Sequence, residues 1–538
     1  MKETRKGVFN MQTNDRYPLG QQDFKILRER DCVYIDKTMY VRKIVDDGTQ
    51  YFFLARPRRF GKSLFLSTLQ YFFEGRRELF KGLYVDSTDW NWLPYPVLRL
   101  DLNRARYKST GELDAVLDNA FRKWEAKYEI TDIATSYSAR FENIIEAAHR
   151  MTGRQVVILV DEYDKPMVAN INNKDNIDHY REKLSAVYSN FKSSAEHIRL
   201  VFLTGVSRFG KLSVFSDLNN LIDISFKDEY ADICGITEQE MLDNLGPGIS
   251  KVAEGNEISV EDALRGLKKY YDGYRFAKNG SDIYNPWSLL NALDEGKITN
   301  SSNSWSDTGL PEIVANSLKR VNADLESMFD TYCTIDDLKG LDLISPQPLA
   351  LLYQTGYLTI KGYNRKIDRY RLGIPNEDVK KGFFNVLLPY YIKCRSGEEP
   401  KKIVGDMIMY FILGDADKAM KCMQTYFAGV HWKMKMENEN NFHNAFFILM
   451  DLIGLDTEAE SATSDGSIDI TVKTDDYIYV IELKYDGSAE QALRQIEEKK
   501  YERKYQMDGR RIIRIGVNFS SKTRCIEGWK IVCGMSVG

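Results

Sequence analysis

Between residues 51 and 226 five short apolar runs alternate with longer stretches of helical periodicity. The runs are Tyr51–Ala55, Val97–Leu102, Val156–Val160, Arg199–Thr204 and Leu221–Phe226. Unbroken runs of Val, Ile, Leu and Phe suit strands buried on both faces, and strands separated by helices join one sheet through crossovers. The pattern therefore predicts a parallel sheet with helices on both faces. That sheet cannot account for the whole chain, because 538 residues exceed what a single core accommodates. After about residue 235 the strand signal fades into helical segments broken by polar loops such as 299–306. After about 440 a helix (Asn444–Gly454), a hairpin, a second helix and a last strand (Arg511–Phe519) form another α/β unit. The expected domains are 1–234, 235–435 and 436–538.

With 43% hydrophobic and 28% charged residues the chain is too apolar for disorder and too mixed for a fibre. The net charge of −4 supplies no global basic field, so a nucleic-acid partner would need a local basic face. The seven cysteines lack CxxC or CxxH spacing, which argues against zinc and disulfides. Residues 1–16 have no apolar core like that of a signal peptide, and no run of eighteen apolar residues occurs. No membrane partner and a cytoplasmic location are expected.

Two segments following apolar runs have the makings of a phosphate loop: Arg56-Pro-Arg-Arg-Phe-Gly-Lys-Ser63 and Gly205-Val-Ser-Arg-Phe-Gly-Lys-Leu212. Such a loop needs backbone N–H groups around a phosphate, a Lys on the β/γ oxygens and a hydroxyl for Mg²⁺ directly after that Lys. Only the first has the hydroxyl, at Ser63; Leu212 cannot ligate a metal, and Ser213 is one position late. The first also runs into the apolar helical stretch Leu64–Phe73, whose N-terminus favours an anion. Asp161 and Glu162, ending the third run, follow the first segment and precede the second. Asp161 is expected to bind Mg²⁺ and Glu162 to polarise the attacking water. ATP is thus expected on Arg59, Phe60, Gly61, Lys62, Ser63, Leu64 and Asp161, with Mg²⁺ on Ser63 and Asp161. Arg56 replaces the usual leading Gly, which leaves an altered loop path and slow hydrolysis open. Arg208 is either an arginine finger, acting in cis or across a homo-oligomer, or a solvated loop arginine.

In the last third, Ile468–Val472 and Tyr477–Lys484 flank Asp475-Asp476. If those two residues form a two-residue turn, positions summing to 951 face one another and Asp469 meets Glu482. Facing Cβ atoms lie roughly 4.5–5.5 Å apart, close enough for both carboxylates to hold one Mg²⁺. Lys484 projects from the same face. Ile468, Ile470, Val472, Tyr479, Ile481 and Leu483 then make an apolar core face. Glu439 and Glu460 are weaker candidates for a further ligand, and Ser488 with Gln491 has the spacing of a helix cap. In the middle region, a helix end at Leu349–Gln354 followed by Tyr357–Ile360, a polar turn and Arg369–Leu372 reads as a winged helix. Its hairpin carries Lys361, Arg365, Lys366, Arg369 and Arg371, either touching phosphates or merely solvated.

Tyr17-Pro-Leu-Gly20, Tyr34-Ile-Asp-Lys-Thr38, the 56–63 loop, Asp161-Glu-Tyr-Asp164 and Thr204-Gly-Val-Ser207 together resemble a bacterial AAA-ATPase-like family whose members end in a PD-(D/E)XK nuclease-like domain. The resemblance covers nearly the whole chain, and the Arg-Pro-Arg-Arg-Phe loop is typical of that family. It implies a P-loop NTPase joined to a restriction-endonuclease-like α/β domain. Thr204 stands where related ATPases place a sensor of the γ-phosphate. The resemblance also implies that Asp469 and Glu482 bind metal, that Lys484 positions or activates water, and that Gln495 and Tyr501 are polar positions of the site. Gly466-Ser467 stands where that family usually has Gly-Arg, which loses a positive group but no ligand. The function expected is ATP hydrolysis coupled to metal-dependent cleavage of nucleic acid, DNA rather than RNA, as in defence or mobile-element systems. The alternative is a non-catalytic nucleotide switch whose last domain only docks nucleic acid or protein.

Overall fold

Five strands build the N-terminal sheet of the computed structural model: β1 (Tyr51–Ala55), β2 (Val97–Asp101), β3 (Val156–Asp161), β4 (Ile198–Gly205) and β5 (Ile222–Asp223). The structure describes residues 16–538 apart from 172, 209–220, 299–309, 322, 343, 392–398, 429–439, 456, 461–466, 500–504, 506–507, 521, 524 and 534–538. The strand order is β2-β3-β4-β1-β5 and every pairing is parallel. β3 and β4 are buried almost throughout, which is why their sequences read as continuous apolar runs rather than alternating ones. The crossovers are helices Lys62–Phe73, Gly111–Lys127, Tyr137–Thr152 and Lys174–Tyr188. The fifth run was expected to span Leu221–Phe226; only Ile222 and Asp223 join the sheet, against Phe52 and Phe53. Ser225 instead receives the N–H of Ala55 on its hydroxyl, so the chain leaves the ladder to cap β1.

Helices Glu238–Asn244, Gly246–Gly255, Val260–Tyr271 and Pro286–Glu295 follow, with a two-residue ladder of β6 (Ile236–Thr237) and β7 (Ile283–Tyr284). Their core of Met241, Ile249, Val252, Leu267 and Leu289 also takes in Val33, with Tyr17 and Ile35 packed against it. The N-terminal motifs thus belong to the packing of this helical layer. Farther on, helix Pro348–Thr355 ends at Gly356 with φ +88 and leads into the hairpin β9 (Thr359–Asn364) and β10 (Arg369–Gly373), with β8 (Thr331–Cys333) on the outer side of β10. Helix followed by hairpin stands as the sequence predicts.

The chain divides into two compact units, one built from most of residues 1–380 and the other mainly from 381–538. The second unit contains a mixed sheet ordered β11 (Thr457–Glu460), β12 (Ser467–Lys473), β13 (Tyr477–Tyr485), β14 (Arg511–Ser520) and β15 (Cys525–Cys533). β13 and β14 run parallel, and helix Ala489–Lys499 makes the crossover they require. No helix among the described residues is long and apolar enough to cross a membrane. Architecture and order are those of an α/β protein with a P-loop-like sheet, a helical middle and a C-terminal mixed sheet.

Candidate nucleotide and metal sites

At the end of β1 the chain turns through residues 56–61 into the helix that starts at Lys62. Arg59 at φ +66 and Gly61 at φ +95 make the left-handed bends. A Cβ at Gly61 would meet no atom, so glycine is required there by backbone conformation rather than space. The first N–H groups of the twelve-residue helix lack intrahelical partners and face the loop, an arrangement suited to an anion. The Lys62 ammonium is buried and donates to the carbonyl oxygens of Arg56 (3.0 Å) and Pro57 (3.2 Å), with Glu162 Oε1 3.4 Å away. The Arg56 side chain turns from the loop into the core. It donates to the carbonyls of Ala55, Ser225, Tyr230 and Ala231 and lies 4.3 Å over the Phe276 ring. The residue that replaces the leading Gly therefore ties the base of the loop to the 225–231 segment. Phe60 is also buried, packed edge-on against Tyr274 and Phe276, while exposed Arg59 sits 4.7 Å over Trp287.

Because β1, β4 and β3 are parallel neighbours in that order, their C-terminal ends share one edge of the sheet, with Thr204 of β4 between the loop and Asp161 of β3. The Thr204 hydroxyl donates to Asp161 Oδ1 at 2.7 Å, and the Ser63 hydroxyl bonds to the same carboxylate. Burial and then the neighbouring Glu162 charge push the Asp161 carboxyl up; Thr204, Ser63 and Arg99 oppose them. Glu162 has φ +52, a sparsely populated conformation for a non-glycine residue, which turns the chain out of β3 and leaves its carboxylate facing Lys62. Lys62, Ser63, Asp161, Glu162 and Thr204 are thus brought together.

Two further residues complete this cluster: Arg99, which carried no sequence signal, and Asp164, which the sequence offered only as part of the Asp161-Glu-Tyr-Asp164 motif. Arg99 of β2 reaches Asp161 Oδ2 at 3.7 Å and donates to Gln70 at 3.1 Å. Asp164 is buried and accepts from the N–H groups of Val206 (3.1 Å) and Ser207 (2.6 Å) and from the Ser207 hydroxyl, holding the chain after β4. Burial and then Glu162 push its carboxyl up to about 6. Gly205 leaves room for this, since a Cβ there would collide with Tyr163 and Asp164. Arg208 is not a solvated loop residue: it pairs with Asp223, stacks 4.8 Å from Phe226 and is mostly buried. Lys211, Leu212 and Ser213 lie outside the described residues. Beside the loop, Gly61, Leu64 and Phe65 line an apolar cavity of about 90 Å³ together with Pro18, Tyr34 and Ile35. The two N-terminal motifs form its wall, braced by Tyr34 on Thr68 and by Lys37 on Glu240 at 2.6 Å.

In the second unit the β12–β13 register is the one the Asp475-Asp476 turn dictates. Asp469 faces Glu482, Ser467 faces Lys484, and Thr474 N–H closes the turn on the Tyr477 carbonyl. β11 adds Glu460 opposite Asp469, so three carboxylate positions lie in one cross-strand row. Ile470, Val472, Tyr479, Ile481 and Leu483 are fully buried on the opposite face. The face of Glu482 is less polar than the alternation suggested. Ile478 and Val480 are buried under Ile496 and Leu493 of the 489–499 helix, which descends onto the sheet because Gly516, the register partner of Glu482, has no side chain to meet Ala489. Glu482 is consequently 0% exposed, and neither of its oxygens has a hydrogen-bond partner among the described residues. Lys484 Nζ lies 3.5 Å from Glu482 Oε1 and donates to Gln495. Ser488 caps the helix by accepting from Gln491 N–H. Glu439, Gly466 and Tyr501 lie outside the described residues.

Residues 18–215 match the model of a family described as predicted AAA-ATPase, and residues 437–529 that of the PD-(D/E)XK nuclease superfamily. A protein of Azotobacter chroococcum mcd 1, described as "Uncharacterized protein in vnfD 5'region", is 33% identical over 531 residues, covering 96% of this chain and 98% of that one. The chain belongs to this AAA-ATPase-like family. Its members' two-part architecture, ATPase-like followed by nuclease-like, is the one in which the two clusters above are found, the first within 18–215 and the second within 437–529.

For this AAA-ATPase-like chain both clusters fit a divalent ion. Ser63 and Asp161 already touch, as a hydroxyl and a carboxylate sharing Mg²⁺ must. Glu482 is a buried carboxylate with no hydrogen-bond donor among the described residues, a costly arrangement that a cation would relieve. The expected basic face of the β9–β10 hairpin is reduced. Lys361 donates to the carbonyls of Gly273 and Pro375, and Arg371 pairs with Asp330, while Arg365 and Lys366 stay exposed at the tip.

Proposed function

We propose that this chain binds and hydrolyses ATP at the β1–β3–β4 edge and cleaves phosphodiester bonds of nucleic acid, DNA rather than RNA, at the β12–β13 hairpin, with ATP binding or hydrolysis gating cleavage. The observation that carries the second half is Glu482, wholly buried, without a hydrogen-bond partner at either oxygen among the described residues, and in register with Asp469. Asp469 and Glu482 would hold Mg²⁺, which when bound supplies Lewis acidity and lowers the pKa of a bound water. Lys484, held by Gln495 beside Glu482, keeps an ammonium where a nucleophilic water or developing phosphorane charge needs it. In the first half, the loop N–H groups and Lys62 take the phosphates, Ser63 and Asp161 take Mg²⁺, Glu162 orients water and Thr204 reports the γ-phosphate through Asp161. The apolar cavity at Gly61 and Leu64 receives the base.

A nucleotide-controlled switch without cleavage is favoured by one feature, the Lys62–Glu162 contact, which occupies both groups until a phosphate separates them. ATP turnover and cleavage of single- and double-stranded DNA and RNA, with Mg²⁺ or Mn²⁺, separate the two readings when run on the same preparations. Glu162→Gln should keep ATP binding and slow turnover by about 10²-fold or more. Glu482→Ala and Asp469→Ala should abolish cleavage and leave basal turnover unchanged. A wild type that cuts none of these nucleic acids, with or without ATP, leaves the switch as the function.

A further inference from the structure

On the far side of Asp161 from the phosphate loop lies a cavity that neither proposed activity uses. It has a volume of about 380 Å³, within the range of roughly 300–1,000 Å³ that small-molecule sites span. Its floor is the end of β2, with Arg99 and Asp101, and its wall is the helix Gly111–Lys127, with Val116, Ala120 and Trp124. Charge inside it is asymmetric in availability. The two carboxylates are committed: Asp101 accepts from Asn103 N–H and Arg104, and Glu112 accepts from the N–H groups of Arg106, Tyr107, Lys108 and Ser109. Lys123 has no such commitment among the described residues, and Arg99 is held only by Gln70 and, loosely, by Asp161. Cations at floor and rim beside an aromatic and aliphatic wall match a ligand that is anionic at one end and flat and apolar at the other.

We propose that this cavity is a second ligand site, taking a phosphate-bearing molecule of nucleotide size, and that Arg99 reports its occupancy to Asp161. A phosphate bound by Arg99 competes with Asp161 for the same guanidinium. Asp161 then loses a neighbouring cation and gains affinity for Mg²⁺, so the two sites couple positively and, by linkage, reciprocally. Binding in the cavity is independent of the ATP assignment; the coupling rests on it.

The test is calorimetric titration of the full chain with AMP, the dinucleotide pApA and inorganic phosphate, after saturation with Mg²⁺ and a non-hydrolysable ATP analogue. AMP or pApA should bind once more per chain, and inorganic phosphate at least tenfold more weakly. Ala120→Trp, which fills the cavity, and Lys123→Glu, an exposed charge reversal that spares the fold, should each weaken that binding tenfold or more. AMP should also tighten the Mg²⁺-dependent binding of the analogue at least threefold, and Arg99→Gln should remove this effect. Absence of a second equivalent, or binding unmoved by both cavity variants, overturns the site. Phosphate binding as well as AMP overturns the nucleotide-size claim, and an unchanged analogue affinity overturns the coupling. Should the analogue itself fail to bind, the ATP reading fails on its own, because AMP binding to the Lys62→Ala chain and its loss on adding Lys123→Glu still decide the cavity.

Discussion

Both clusters place acidic residues on strands of a sheet, yet they are built in opposite ways. Asp161 is surrounded by Thr204, Ser63 and Arg99, each of which relieves its charge, whereas Glu482 is fully buried, with one lysine at 3.5 Å and no hydrogen-bond partner for either oxygen among the described residues. Even with its three partners, burial and the Glu162 charge keep the Asp161 carboxyl raised. A carboxylate buried with as few donors as Glu482 is costly, and a bound cation would relieve it. A parallel-sheet edge gathers loops from several strands around one carboxylate, while an antiparallel hairpin offers a carboxylate only its cross-strand neighbours.

The contrast breaks most visibly in ATP binding. Lys62→Ala should remove it, by about 100-fold or more, because the ammonium held at the loop is the cation the phosphates would meet; Lys211→Ala should leave it nearly unchanged. Equal losses in two folded variants would move the nucleotide to the other segment. Next comes metal-dependent stability. Mn²⁺ at about 100 times its dissociation constant should stabilise the wild type by about 2.7 kcal/mol. Glu482→Gln should lose that gain and melt higher than wild type without metal, since a fully buried charge paired only at 3.5 Å with Lys484 is gone. A wild-type melting curve indifferent to metal contradicts the reading of Glu482 as a ligand. Arg56→Ala should cost about 2–4 kcal/mol in urea unfolding, removing a charged donor from four carbonyl groups, three of them on buried residues. Little loss there would mean that the loop base is held by Phe60 and Pro57 alone.

The smallest effect concerns Asp164. Its folded value of about 6 lies above the ordinary 3.8, so its ionisation is harder in the native protein. Stability attributable to it therefore falls as pH rises between those values and stays level above them. Asp272, also pushed up to about 6 by burial, adds a slope of the same sign. Asp164→Asn should make the dependence of stability on pH less negative over that window, as followed by thermal melts of variant and wild type from pH 4 to 7; a variant slope identical to the wild type's would count against a buried, raised Asp164.

Much of this was legible along the chain because it depends on neighbours in sequence. Continuous apolar runs specify doubly buried strands, and a two-residue turn specifies register, so the facing of Asp469 and Glu482 followed from counting alone. The convergence of Lys62, Ser63 and Asp161 followed from which strand ends carry loop and acid. Three things depended on distant contacts. Arg56 read as a flaw in the phosphate loop, and only the carbonyls of 225–231 reveal it as the brace beneath it. Glu482 read as half of a polar face, and only the helix landing on Gly516 buries it. Arg99 read as an ordinary charge and Asp164 as a motif residue without a role, until β2 and the turn after β4 set them against Asp161 and Ser207. Periodicity and turn chemistry act within a few residues and can be read from a string. Burial, and with it the electrostatic state of each carboxylate, is decided by which side chains arrive from elsewhere in the chain.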